Sequence, residues 1–154
     1  MSASDPARRR GVKFALDTSC LVALLAEWHE RHRATVQAYE ARIARGETLV
    51  IAGHAFLECF SVLTRLPPPL AATPQAAEEV LVKCLTGTGE IAGMTAEACR
   101  SAVRDLAGRG VGGGRVYDAI IARCCCDAGA AVLLTWNQRH FLSVAPTGLT
   151  VLEP

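Results

Sequence analysis

The chain has 154 residues, 51% of them hydrophobic and 20% charged, with a formal net charge of +1. That length suits one domain able to bury roughly 70% of its unfolded surface. No run of about 18 uncharged apolar residues occurs, so no membrane span is expected, and the charge balance neither requires nor forbids a nucleic-acid partner.

Residues 1–11 (MSASDPARRRG) read as a flexible tail; their arginines have no adequate apolar stretch behind them, so no signal peptide is expected. The remainder, 12–154, reads as a single domain. VKFAL at 12–16 is a short strand of the buried, parallel type. Thr18 or Ser19 is expected to cap the helix that follows, with Leu21, Leu24 and Leu25 on one stripe. HRATVQAYEARIARG is a second helix ending at Gly46, and LVIA at 49–52 a second strand. A helix over 54–66 is stopped by the prolines at 67–69. Further helices are expected over 74–86, 96–108 (capped by Thr95) and 116–128 (ended by Gly129), with short strands at 90–92, 131–135 and 149–153. GRGVGGGR at 108–115 is a flexible loop. Strands alternating with helices favour a parallel α/β sheet with helices on both faces, whose ligands gather beyond the carboxyl ends of the strands.

Three acids stand where acids are costly. Asp17 ends the first strand, Glu58 interrupts the helical segment HAFLECFSVLTRL, and Asp118 opens the apolar helix YDAIIARCCC. A charge at such a place calls for a partner or a cation; only Asp118 has one nearby in sequence, Arg115. Asn137, two residues beyond the AVLLT strand, should face the same rim as Asp17. If the three carboxylates converge, they form an oxygen-rich pocket suited to a hard divalent cation such as Mg²⁺ or Mn²⁺, and phosphodiester hydrolysis is the natural reaction.

Other groupings carry less. The seven cysteines are odd in number and lack a CxxC pair, so reduced, buried thiols and a cytoplasmic location are expected. His29 and His32 are three residues apart but follow Trp28 near a helix break, and read as structural. No G-x-S-x-G occurs, Cys59 has no evident base, and the GVGGG run lacks the GK[ST] ending of a phosphate loop. A haloacid-dehalogenase-type phosphatase would need a second aspartate two residues after Asp17, where Ser19 stands. Fourteen arginines against two lysines supply phosphate-matching forks; Arg115, Arg123 and Arg139 are candidates for a local basic rim.

Four segments in order, FALDTSCLVALL, HAFLECFSVLTRL, YDAIIARCCCDAGAAVLLTWNQRHF and the closing strand, together resemble a PIN-domain ribonuclease, and within that family a VapC-type toxin of a toxin–antitoxin pair. The resemblance covers nearly the full length. It implies a PIN-like three-layer α/β/α fold with a mainly parallel sheet. It places the family's acids on Asp17, Glu58 and Asp118, the last conserved patch on Thr135 and Asn137, and a Mg²⁺ or Mn²⁺ ion on the three carboxylates. It implies an endoribonuclease cutting single-stranded regions of structured RNA, such as transfer or ribosomal RNA, working as a homodimer and blocked by a cognate small antitoxin. Asn137 and His140 stand where many members carry acids, so a fourth metal-side carboxylate is missing. A catalytically silent PIN-fold module that binds RNA or protein is the alternative, mildly favoured by that loss.

Overall fold

A computed structural model describes residues 11–85 and 89–154. The expected flexible tail falls almost wholly on residues 1–10, outside those described, and residue 86, the last of the helix expected over 74–86, also lies outside them.

Five strands are present: β1 (Lys13–Leu16), β2 (Thr48–Ala52), β3 (Gly89–Ala92), β4 (Ala130–Leu134) and β5 (Thr150–Leu152). Seven helices accompany them among the described residues: α1 (Thr18–Leu25), α2 (His32–Ala44), α3 (Gly53–Arg65), α4 (Pro74–Leu85), α5 (Ala96–Gly108), α6 (Arg115–Asp127) and α7 (Gln138–Leu142). All strands pair in parallel, in the order β3-β2-β1-β4-β5. The expected parallel α/β architecture is therefore present, with LTVLE supplying an edge strand. Helix α7 was not legible in the sequence: five residues of mixed polarity, QRHFL, give too little periodicity to read.

Phe14, Ala15 and Leu16 are each fully buried. Successive strand residues point to opposite faces, so both faces of β1 are covered by helices. The core continues through Leu49–Ala52, Leu133 and Leu134 of the neighbouring strands and through Cys20, Leu21, Cys59, Ile121 and Cys125 of the helices. Arg42 and Arg45, at the end of α2, hold the buried Glu47 at 2.7 and 3.0 Å. Gly46 allows that turn with φ 78°, and the Gly46 and Glu47 amides close it on the carbonyls of Ile43 and Arg42. No helix among the described residues is long and apolar enough to cross a membrane.

The chain grows the sheet from β1 to β2 to β3, then returns across it to place β4 on the other side of β1. The two outward connections therefore diverge between β1 and β4. Such a reversal opens a crevice beyond the carboxyl ends of the two strands, which is where ligands bind in open parallel sheets. Leu16 pairs with Leu134 at that end, so the next residues, Asp17 and Thr135, come out side by side.

Candidate active site

Asp17 leaves β1 in extended geometry (φ −79°, ψ 178°) and caps α1 itself, accepting from the Cys20 amide at 2.9 Å. The expectation that Thr18 or Ser19 would cap the helix is corrected: the carboxylate is already at the strand end and reaches the free amides first. Ser19 Oγ lies 2.7 and 2.9 Å from the two Asp17 oxygens, and Thr135 Oγ1 donates to Asp17 Oδ2 at 2.7 Å. The Asp17 amide donates to Leu134 O at 3.1 Å. Burial is the main influence on this carboxyl and pushes its pKa up; the bonds from Cys20, Ser19 and Thr135 pull the other way without cancelling it.

The same two hydroxyls organise the next residues of the rim. Ser19 Oγ accepts from the Trp136 amide at 3.0 Å, and Thr135 Oγ1 accepts from the Asn137 amide at 2.9 Å. Asn137 is exposed at the start of α7, and its side chain does not cap that helix.

Glu58 approaches from α3. Thr18 Oγ1 donates to Glu58 Oε2 at 2.6 Å, which ties this carboxylate to the residue following Asp17. Asp118, in the first turn of α6, is half-buried. Burial, chiefly, and the charge of Glu58 push its pKa up, while His140 pulls it down; His140 Nδ1 stands 3.8 Å from Asp118 Oδ2. His54 and Tyr117 stack face to face beside these two acids, with ring centroids 4.9 Å apart and planes within 4°. That contact joins the first turn of α3 to the first turn of α6. Arg115, the partner that spacing offered Asp118, donates instead to Ser143 Oγ at 3.1 Å. His140 takes its place because α7, which the sequence did not reveal, carries it across.

The acids are thus linked in sequence, Asp17 to Thr18 to Glu58 by a shared turn and a hydrogen bond, Glu58 to Asp118 by mutual repulsion. Among the described residues, however, no group of three or more His, Cys, Asp or Glu side chains is gathered closely enough to hold a metal ion. Of the three acids Glu58 lines an open cleft of about 430 Å³, together with Thr18, Glu30, Arg31, Trp136 and Asn137.

The remaining sequence candidates resolve as follows. Arg123 faces α5, donating to Ser101 Oγ at 3.2 Å and lying 3.7 Å from Asp127, away from the acids. His29 accepts from the Arg31 amide and His32 Nδ1 bonds with Ala23 O at 2.9 Å, so both fix the α1–α2 turn. Burial pushes the Cys125 thiol up to about 12, unsuited to a nucleophile. Arg31 was not singled out from sequence: it sits in the break between α1 and α2, where no periodic pattern points to it.

The family model for the PIN domain matches residues 14–145. The chain belongs to the PIN domain family. Ribonuclease VapC40 of Mycobacterium tuberculosis (strain ATCC 25618 / H37Rv) is 41% identical over 119 residues, covering 77% of this chain and 83% of that protein. Among solved structures, the PIN fold seen here is similar to Mycobacterium tuberculosis VapC20, described as a Sarcin-Ricin loop cleaving toxin (TM-score 0.67, 15% identity, 86% of this chain and 96% of that one). It is also similar to a chain of VapBC2 from Rickettsia felis bound to a DNA fragment from its promoter (TM-score 0.65, 18% identity, 92% and 98%). At those identities the two structures establish the shared PIN fold.

Proposed function

We propose that this chain is a VapC-type toxin: an endoribonuclease dependent on Mg²⁺ or Mn²⁺ that cuts single-stranded regions of structured RNA. The observation that carries this reading is kinship to Ribonuclease VapC40 across three-quarters of the chain. The acids at the sheet's reversal point supply a chemistry to go with it.

A divalent cation fits the donors present. Asp17, Glu58 and Asp118 offer only oxygen, the preference of Mg²⁺ and Mn²⁺. Glu58 and Asp118 repel one another, and burial adds to the cost of charging Asp118; a cation between them offsets both penalties. In this structure the three stand too far apart to hold one ion together, so the cation would have to draw them in, and these three residues would then hold it. When bound, such an ion supplies Lewis acidity for phosphoryl oxygen and makes water a better nucleophile. The chain's own contribution is positioning. Ser19, Thr135 and the Cys20 amide fix both Asp17 oxygens, Thr18 orients Glu58, and the exposed Asn137 amide is available to orient substrate or water.

The protein works as a homodimer checked by a cognate small antitoxin. Exposed apolar side chains such as Leu57, Val103 and Leu142 offer surface for such contacts. Incubating the chain with structured RNA in Mn²⁺, in Mg²⁺ and in excess EDTA tests the reading, with Asp118→Asn alongside. Cleavage is expected only with metal and only in the wild type. Undiminished cleavage in EDTA, or by the variant, would overturn the mechanism.

A further inference from the structure

The cleft that Glu58 lines carries residues that metal chemistry leaves unused. The Arg31 guanidinium lies over the Trp136 ring, 4.4 Å from its centroid. The Trp136 indole N–H donates to Thr35 Oγ1 at 2.9 Å, and the fully buried Thr35 donates in turn to Arg31 O at 2.8 Å. The Arg31 amide donates to His29 Nδ1 at 3.1 Å, and the Trp136 amide is tied through Ser19 to Asp17. Ring, guanidinium and backbone thus form one closed set of contacts, continuous with the bracket around Asp17. Arg31 is the sole arginine or lysine lining the cleft, its side chain is 42% exposed, and its nearest carboxylate, Glu30, is 3.8 Å away and almost wholly solvated.

We infer that Arg31, held over the Trp136 ring, is a phosphate-binding subsite for a nucleotide seated in the cleft that Glu58 lines. The inference rests on the ribonuclease reading and names how the substrate strand is seated. The guanidinium's planar fork of N–H donors matches two phosphate oxygens, and its carboxylate neighbour Glu30, at 3.8 Å, lies beyond hydrogen-bond distance. A surface arginine normally loses much side-chain entropy on binding; one already stacked loses less. The position also answers an electrostatic difficulty. A polyanion must enter a cleft that exposes Glu58, on a protein of net charge +1, so attraction must be local. A cleft of about 430 Å³ lined by Glu58, Glu30 and Arg31 has room for one nucleotide.

Binding measured without metal separates this from catalysis. Fluorescence anisotropy with a short labelled single-stranded oligoribonucleotide, and with its deoxy counterpart, is recorded in EDTA across a salt series. Arg31→Gln should weaken binding of both probes about tenfold, as expected for one charge-assisted contact. It should reduce the slope of log affinity against log salt by about 0.7, the value for one phosphate on a single strand. Arg31→Lys should recover the slope but not the full affinity, because it restores charge without the fork. Circular dichroism of each variant should match the wild type. Unchanged affinity and slope in Arg31→Gln would overturn the subsite, as would a loss confined to the ribose probe, which would indicate 2′-hydroxyl recognition. If the wild type cleaves RNA while Arg31→Gln binds as tightly, the subsite alone fails. If the wild type neither cleaves nor binds, the ribonuclease reading fails with it.

Discussion

Replacing Asp17 in two ways separates what its hydrogen bonds contribute from what its charge costs. Asp17→Ala removes the acceptor for the Cys20 amide and for the Ser19 and Thr135 hydroxyls. Loss of the helix cap costs about 1 kcal/mol. Stranding a buried donor costs about 1–3 kcal/mol, reduced here because the hydroxyls can turn to other acceptors. The expected net loss is about 2–4 kcal/mol, or a fall in Tm of roughly 5–15 °C for a chain of this size. Asp17→Asn keeps one acceptor oxygen for the Cys20 amide and removes a charge whose burial pushes its pKa up. It should therefore melt within a few degrees of the wild type in EDTA while RNA cleavage is lost. Millimolar Mn²⁺ should raise the wild-type Tm and leave the Asn variant where it was, since only the former binds the ion well. Thermal melts with and without Mn²⁺, paired with a cleavage assay, supply each of these readouts. An Asn variant as unstable as the Ala variant would show that the bracket needs the full carboxylate. An Ala variant melting with the wild type would show that the bracket contributes nothing.

Thr18→Val should lower RNA cleavage by roughly tenfold with little change in Tm, because it frees Glu58 while removing one part-buried bond worth about 1 kcal/mol; unchanged single-turnover rates would refute it. Asn137→Asp adds a carboxylate to the cleft that Glu58 lines and should tighten binding of a second Mn²⁺ in isothermal titration; two equally tight sites already present in the wild type would count against it. For Glu47, burial is the largest single influence and opposes ionisation, but the bonds and charges of Arg45 and Arg42 outweigh it, holding the pKa below its ordinary 4.5. A carboxyl lowered on folding stabilises the fold above its unfolded pKa and loses that contribution as pH falls through the folded value. Glu47→Gln should thus cost about 1–3 kcal/mol at neutral pH, a gap that closes in acid urea titrations well below pH 4.5; a gap independent of pH would refute the pairing argument.

What could be read from the sequence was whatever depends on short, strong patterns. The apolar runs at 12–16, 49–52 and 131–135 announced a parallel sheet, and Asp17 announced itself by ending one of them. Thr95 was legible as a cap, and it accepts from the Ala98 amide at 3.1 Å. Contacts between distant segments were not legible. Nothing local pairs Thr18 with Glu58, and Arg115 looked like the partner of Asp118 only because α7, which carries His140, is too short to show a period. Arg123 lies one helical turn before Asp127, and that local pairing directs it toward α5. Arg31 depends on a tryptophan 105 positions away, a relation that only the folded chain creates.

The bond between Thr135 and Asp17 joins residues 118 positions apart. During synthesis at about 5–20 residues per second, the Asp17 carboxylate is made roughly 6–24 s before its partner. Over that interval Ser19 and the Cys20 amide can hold it, but β4 does not yet exist to close the bracket or to carry Trp136 beneath Arg31. A truncated chain ending before β4 would carry Asp17, Glu58 and Asp118 and still lack Thr135 and Trp136. Order of synthesis alone therefore keeps the bracket around Asp17 open until the residues that follow β4 have been made.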